Sequence, residues 1–335
     1  MSVKILNSFN VQDQGKAKEQ FALDVLKGLS TKPKEIPSKY FYDDEGSRLF
    51  SQIMESEDYY LTDCEIEVFE KNKKDIAQKI GHSNINIIEL GAGDGRKTKI
   101  LIDQFLKENL SFKYTSIDIS KEAIVQIDRL FKEEFPALEH TGVVGEYTGG
   151  LDWVSDNQSG RKLVLFLGST IGNFDRPNAL VFLRVLWKHL NNDDLLLIGF
   201  DLKKEIDLML LAYNDREGIT KKFNFNLLTR MNNELGANFD LKNFMHFGTY
   251  NPNVGAMESF IISTCAQEVY VGELEKTFKF KAFEPIHLEY SHKYLISDIE
   301  SFAMETGFEV LNHYFDSNHF YTNSLWRVKK EMPNG

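Results

Sequence analysis

A chain of 335 residues, 42% hydrophobic and 27% charged, is long enough for one large or two ordinary domains with sizeable cores. Its 50 acidic against 39 basic residues give a net charge of -11, which sets the average surface against phosphate backbones and argues against a nucleic-acid substrate. Two cysteines, Cys64 and Cys265, are too few and too distant for a disulfide framework or a zinc site, so they read as packing residues in a reducing compartment.

The amino end, MSVKILNSFNVQDQGK, lacks the apolar core of a signal peptide, and no uncharged stretch of about 18 residues follows, so the chain reads as a cytoplasmic protein with no membrane partner. The first 61 residues are largely helical by pattern. From Asn84 onward short apolar, β-branched runs alternate with helical periodicity, the signature of a parallel sheet with crossover helices. Predicted strands are 84–90 (NINIIEL), 112–118 (FKYTSID), 140–145 (HTGVVG), 162–168 (KLVLFLG) and 194–201 (DLLLIGFD); the last two are near-continuous apolar runs, as strands covered on both faces require. Between the second and third, Ala123, Ile127 and Leu130, with Ile124 and Phe131, share one helical face behind Ser120 as N-cap.

After Asp201 the alternation breaks. A helix-like stretch over 207–236 precedes strand-like MESFIIST and EPIHLEYSHKYL; a helix, SDIESFAMETGF, and two runs, EVLNHYF and HFYTNSLWRV, joined by Asp316-Ser317-Asn318, then suggest an antiparallel hairpin at the sheet edge. The simplest architecture is α/β: a doubly wound domain of 62–201 plus 293–335, interrupted by an insertion, 202–292, that packs with residues 1–61 as a second α+β domain.

The glycine-rich turn IELGAGDGRKT, 88–98, suits three nucleotide-binding designs. A phosphate loop needs Lys directly after its last Gly, and Arg96 stands between Gly95 and Lys97. A dinucleotide fingerprint needs G-x-G-x-x-G, whereas Gly91, Gly93 and Gly95 are spaced G-x-G-x-G. The pattern acid-x-G-x-G-x-G, with Glu89 at the strand end, resembles the first motif of the Rossmann-like, class I S-adenosylmethionine methyltransferases. Asp118 ends the next strand 25 positions after Gly93, where a carboxylate can accept both ribose hydroxyls, and Glu146 follows the third strand near the adenine edge. A nicotinamide dehydrogenase is the competing enzyme reading, but His82, His140, His189, His246, His287, His292, His313 and His319 are scattered, with no metal-like pair and no carboxylate orienter in view.

The fourth strand is followed by GSTIGNF, 168–174, rather than the N/D-P-P-[YF] turn of DNA amino-methylating enzymes. With KYFYDDEGSRLFSQIMESEDYYLTDCEIEVFE (39–70), GFDLKK and LEYSHKY, it resembles the L-histidine Nα-methyltransferases of ergothioneine biosynthesis over nearly the whole chain. The resemblance implies an enzyme in which Gly91, Lys97, Asp118, Glu146 and Tyr147 touch S-adenosylmethionine, the last two departing conservatively from the family's usual Asp-Phe. For L-histidine it implies Tyr42, Tyr59, Gly168, Asn173, Tyr213, Glu289 and Ser291, with residues 1–61 and the insertion as substrate lid. Those residue types suit the substrate: Asn173 and Tyr213 can meet the carboxylate and amine, Glu289 and Ser291, two apart on a strand and so on one face, one ring nitrogen, and Tyr59 the other, with Tyr42 near the amine. The sulfonium is already activated, so the chemistry asks for positioning and desolvation rather than a metal, and no general base is named. The expected product is the trimethyl betaine hercynine, and the expected state is a monomer. Another amino-acid acceptor such as tryptophan, or a non-catalytic nucleoside-binding scaffold, stands as the alternative.

Overall fold

The computed structural model describes residues 2–5, 11–81 and 84–330; His82 and the last five residues of the expected 293–335 segment lie outside them. The chain forms two compact units, divided at 6/7, 59/60, 203/204 and 291/292.

The first unit is built on an eight-stranded sheet in the order 2–5, 140–144, 112–118, 85–90, 161–166, 195–201, 321–328, 308–315. The first six are parallel; Tyr321–Val328 runs antiparallel to Leu195–Asp201, with Tyr321 opposite Asp201, and pairs with Phe308–Phe315 on its other side. Ile85–Leu90 and Leu195–Asp201 are buried at every position because helices cover both faces. Side-chain alternation divides each strand between two cores: Ile85, Ile87, Leu195 and Leu197 pack with Val68, Phe105 and Phe131, while Ile88, Leu90, Leu196 and Ile198 pack with Leu151, Leu183 and Phe302. Ser120 caps its helix as expected, its Oγ accepting from the Ala123 amide at 3.2 Å. The closing hairpin turns at Asp316, whose carboxylate accepts from the Asn318 and Tyr321 amides at 2.9 and 2.7 Å.

Two local expectations change. Residues 1–61 are not all of one kind: Ser2–Ile5 is an edge strand, paired in parallel from Ser2–Thr141 to Ile5–Val144. A four-residue strand shows too few alternations to be read as one; its partner edge decides it. The hairpin's second strand also begins at Tyr321, so His319 lies in the turn, at φ +55°.

The second unit has helices Val11–Ser30, Asp44–Glu55, Ile206–Tyr213 and Ile219–Leu235, a four-stranded sheet in the order 34–35, 285–292, 256–263, 244–251, and a two-stranded sheet of Gln267–Val271 with Lys276–Phe280. Its core joins Phe21, Val25 and Leu49 to Phe223, Leu227, Ile261 and Leu288. The expected helix over 207–236 is two helices: Gly218 takes φ +68° and the Asp215 carboxylate caps the second, accepting from the Ile219 and Thr220 amides at 2.7 Å each. That break leaves Tyr213 at the end of the first.

Helix Tyr147–Asn157 generates a prediction. Replacing Gly by Ala within an exposed helix stabilises it by about 1 kcal/mol, but a Cβ on Gly150 would stand 2.5 Å from Ile117 Cγ2. Overpacking costs about 1–3 kcal/mol and wins here, so Gly150→Ala is expected to lower the urea midpoint of unfolding. A midpoint at or above wild type would show that Ile117 yields freely.

Candidate functional site

Strand carboxyl ends in the first unit bring together one group of candidate residues. Gly91, Gly93 and Gly95 all have positive φ, from +54° to +73°, so the backbone leaves the strand at Leu90 in a turn that L side chains resist and enters helix Arg96–Lys107 directly. A Cβ on Gly91 would lie 2.9 Å from the Tyr147 hydroxyl, and one on Gly168 would lie 3.1 Å from Lys97 Nζ. Glycine thus lets the Tyr147 hydroxyl and the Lys97 ammonium pack directly against backbone at these two turns.

Asp118 closes the turn from the neighbouring strand: Oδ2 accepts from the Gly93 amide at 3.1 Å and Oδ1 from the Ser120 amide at 2.8 Å. Part of its side chain stays accessible, yet desolvation of the carboxyl among packed atoms raises its pKa against the lowering effect of the Ser120, Gly93 and Ile119 amides. The Tyr147 hydroxyl is pushed up by burial first and by the Asp118 charge second. Gly91, Asp118 and Tyr147 are therefore brought together. Glu146 is the exposed N-cap residue of the Tyr147 helix.

Lys97 and Gly168 meet around a residue that the sequence reading did not single out. Glu65 is fully buried; its carboxylate accepts from Lys97 Nζ at 2.7 Å, the Gly168 amide at 3.0 Å, the Tyr321 hydroxyl at 2.9 Å and Asn323 Nδ2 at 2.8 Å. The available signal was an acid on the apolar face of a helix, with Val68 and Phe69 at i+3 and i+4 from it. Asn173 ends the short helical turn Thr170–Asn173 that follows Gly168. Blocks GFDLKK and LEYSHKY contribute a fully buried ion pair, Asp201 with Lys293 at 2.7 Å, joined by the Tyr60 hydroxyl at 2.8 Å.

In the second unit the Tyr213 hydroxyl donates to Ser291 Oγ at 2.6 Å, and Glu289 precedes Ser291 by two residues on the same strand, half-buried. The rings of Tyr42 and Tyr59 both lie edge-on to Phe50, with centroids 5.6 and 6.4 Å away. Asp58, also missed from sequence, accepts from the Arg216 amide at 2.9 Å and its guanidinium at 2.5 Å, tying the segment of Tyr59 to that of Tyr213. His246 Nε2 lies 3.0 Å from the Tyr213 carbonyl, and burial holds its ring below the usual imidazole pKa. Among the described residues no group of three His, Cys, Asp or Glu side chains is placed to hold a metal, and no helix is long and apolar enough to cross a membrane.

Residues 21–328 match the family model described as histidine-specific methyltransferase, SAM-dependent. The chain is 33% identical over 291 residues to the histidine N-alpha-methyltransferase of Mycolicibacterium smegmatis, covering 87% of this chain and 89% of that one. It is 31% identical over 313 residues to ergothioneine biosynthesis protein 1 of Schizosaccharomyces pombe, 91% of this chain but 40% of that longer protein. A 4-dimethylallyltryptophan N-methyltransferase of Claviceps purpurea is 26% identical over 305 residues, covering 84% and 88% of the two chains.

Glu89, beneath the glycine turn, generates a pH prediction. It accepts from the Thr98 hydroxyl at 2.5 Å and from the Tyr114 hydroxyl, and burial raises its pKa from 4.5 to about 7. The native protein then holds a proton that the unfolded chain has released, so this group costs stability progressively as pH rises from about 4.5 to about 7, and fully above that. In Glu89→Gln the cost is absent; its stability relative to wild type is expected to rise across that window by on the order of 3 kcal/mol. Parallel urea-unfolding curves for the two proteins from pH 4.5 to 7.5 would contradict this.

Proposed function

The chain belongs to the S-adenosylmethionine-dependent, histidine-specific methyltransferases, and from that premise we propose that it methylates the α-amino group of L-histidine, three times in succession, to give hercynine, the first step of ergothioneine biosynthesis. S-adenosylmethionine supplies the methyl group, activated on a sulfonium sulfur. In this reading Asp118 holds the ribose hydroxyls, Gly91 lets the nucleoside reach the backbone, Glu146 and Tyr147 address the adenine, and Lys97 meets the methionyl carboxylate. The positive-φ turn at Gly91, Gly93 and Gly95 and the carboxylate of Asp118 beside it at its strand end support the fit.

Histidine recognition is assigned to Tyr42, Tyr59, Tyr213, Glu289 and Ser291 of the second unit, with Gly168 and Asn173 of the first. The observation that carries the acceptor assignment is the buried Tyr213–Ser291 hydrogen bond beside Glu289. Ser291 and Glu289, on one strand face, form an acceptor set for a ring N–H, which an apolar side chain leaves unmatched, and the Tyr213 hydroxyl orients the Ser291 end of it. The Asp58–Arg216 clamp and the packing of Phe50 hold Tyr59 and Tyr42 in fixed positions, so little ordering entropy remains to be lost on binding. The protein is proposed to act as a cytoplasmic monomer on this small molecule, and its net charge of -11 disfavours nucleic acid as a partner.

Three outcomes test the assignment. Asp118→Ala is expected to weaken S-adenosylhomocysteine binding by about 1.5–3 kcal/mol, the range for a charge-assisted hydrogen bond; unchanged calorimetric affinity in a folded variant removes Asp118 from the site. Given all twenty amino acids with the cofactor, the protein is expected to consume histidine and to leave tryptophan and phenylalanine unmethylated by mass spectrometry, with histamine a very poor substrate. Glu289→Ala is expected to lower kcat/KM for histidine by roughly 10- to 100-fold with cofactor affinity nearly unchanged. Methylation of tryptophan as readily as histidine would replace the acceptor with one like that of the Claviceps relative.

A further inference from the structure

Glu65 lies in the second turn of helix Tyr60–Ile80, with no part of the residue exposed, and the groups around its carboxylate come from three places in the chain. Lys97 is in the first turn of the helix after the glycine turn, Gly168 follows the fourth predicted strand, and Tyr321 and Asn323 stand on the strand that closes the sheet. Room for this convergence depends on Gly199: a Cβ there would overlap the Tyr321 hydroxyl and stand 2.8 Å from Glu65 Oε1. A buried carboxylate is expensive unless donors and a positive charge match it. Here the Lys97 ammonium supplies the charge, and an amide, a hydroxyl and a carboxamide supply the remaining donors.

The same arrangement constrains its partners. An ammonium has three N–H donors, of which Glu65 Oε2 takes one, and the Lys97 side chain remains 18% exposed, able to meet a second anion. Gly168 takes φ +71°, a conformation held in place because its amide is committed to Glu65. Without the acid, a four-carbon lysine stem would sample many rotamers and would have to be ordered anew on binding.

We infer that Glu65 is a positioning residue for cofactor binding: it fixes the Lys97 ammonium and the turn at Gly168 in the places from which they meet their ligands. The inference rests on the assignment of Lys97 to the methionyl carboxylate. It touches no reacting atom and acts through Lys97, which makes the prediction one of coupling and not of simple loss.

The test is a double-mutant cycle on the full chain, read as calorimetric affinity for S-adenosylhomocysteine, with thermal unfolding measured separately. Glu65→Gln presents an amide to a cage of donors and removes the charge match; it is expected to weaken binding roughly tenfold. Lys97→Met is expected to do the same, and the double variant to lose no more than about threefold beyond the weaker single variant, since the two act as one unit. Binding by Glu65→Gln within twofold of wild type, or losses that multiply, would overturn the inference, because an acid that merely stabilises the fold would lower the unfolding temperature without coupling to Lys97. Should Glu65→Gln not fold, Tyr321→Phe removes one donor from the acid while sparing Lys97 and Gly168. It is expected to weaken binding about threefold in the wild-type background and not at all in Lys97→Met; equal losses in both backgrounds, or none in wild type, count against Glu65. The two readings fail separately. If Lys97→Met alone binds normally, the assignment of Lys97 is wrong and the role of Glu65 falls with it; if Lys97→Met is impaired and the Glu65 and Tyr321 variants are not, only the present inference fails.

Discussion

Parallel strands all end on the same edge of their sheet, and the grouping of candidate residues in the first unit follows from that constraint. Strands ending at Leu90, Asp118, Val144, Phe166 and Asp201 deliver their following residues, Gly91, Ile119, Gly145, Leu167 and Leu202, to one side. An antiparallel sheet of the same residues would scatter them to both. The strands must therefore be buried on both faces, and polar residues are concentrated where the apolar runs stop.

That concentration puts charge where water is scarce, and each case is resolved differently. Glu65 is matched by Lys97 and neutral donors, and Asp201 by Lys293 and the Tyr60 hydroxyl. Glu89 has hydroxyl donors but no ion pair of its own, and burial raises its pKa to about 7. Asp118 is held by backbone amides and keeps an accessible side. Removing one member of a buried ion pair typically costs about 3–5 kcal/mol, so these pairs are sensitive points even where they touch no substrate.

In the second unit the comparable work is done by interruption. The helix-like run after Asp201 is broken at Asp215–Gly218, which frees Tyr213 at a helix end to bond Ser291, while Arg216 in the break reaches Asp58. One short irregular segment thus carries a proposed ligand group, the cap of the next helix and the clamp on Tyr59.

The sequence by itself determined the parallel sheet, its strand ends and the glycine turn, because apolar periodicity and Gly spacing are local signals that burial on both faces enforces. It also determined the family, through ordered blocks on both sides of that turn. Only the tertiary structure decided which polar residues in those blocks face each other. Glu65, Asp58, Asp201 and Lys293 lie in or beside the quoted motifs, yet their partners are 32 positions away for Glu65 with Lys97, 158 for Asp58 with Arg216 and 141 for Tyr60 with Asp201. The edge strand Ser2–Ile5 depends in the same way on a partner beginning at His140. A carboxylate's environment is set by whatever the fold brings beside it, and that juxtaposition has no period along the chain.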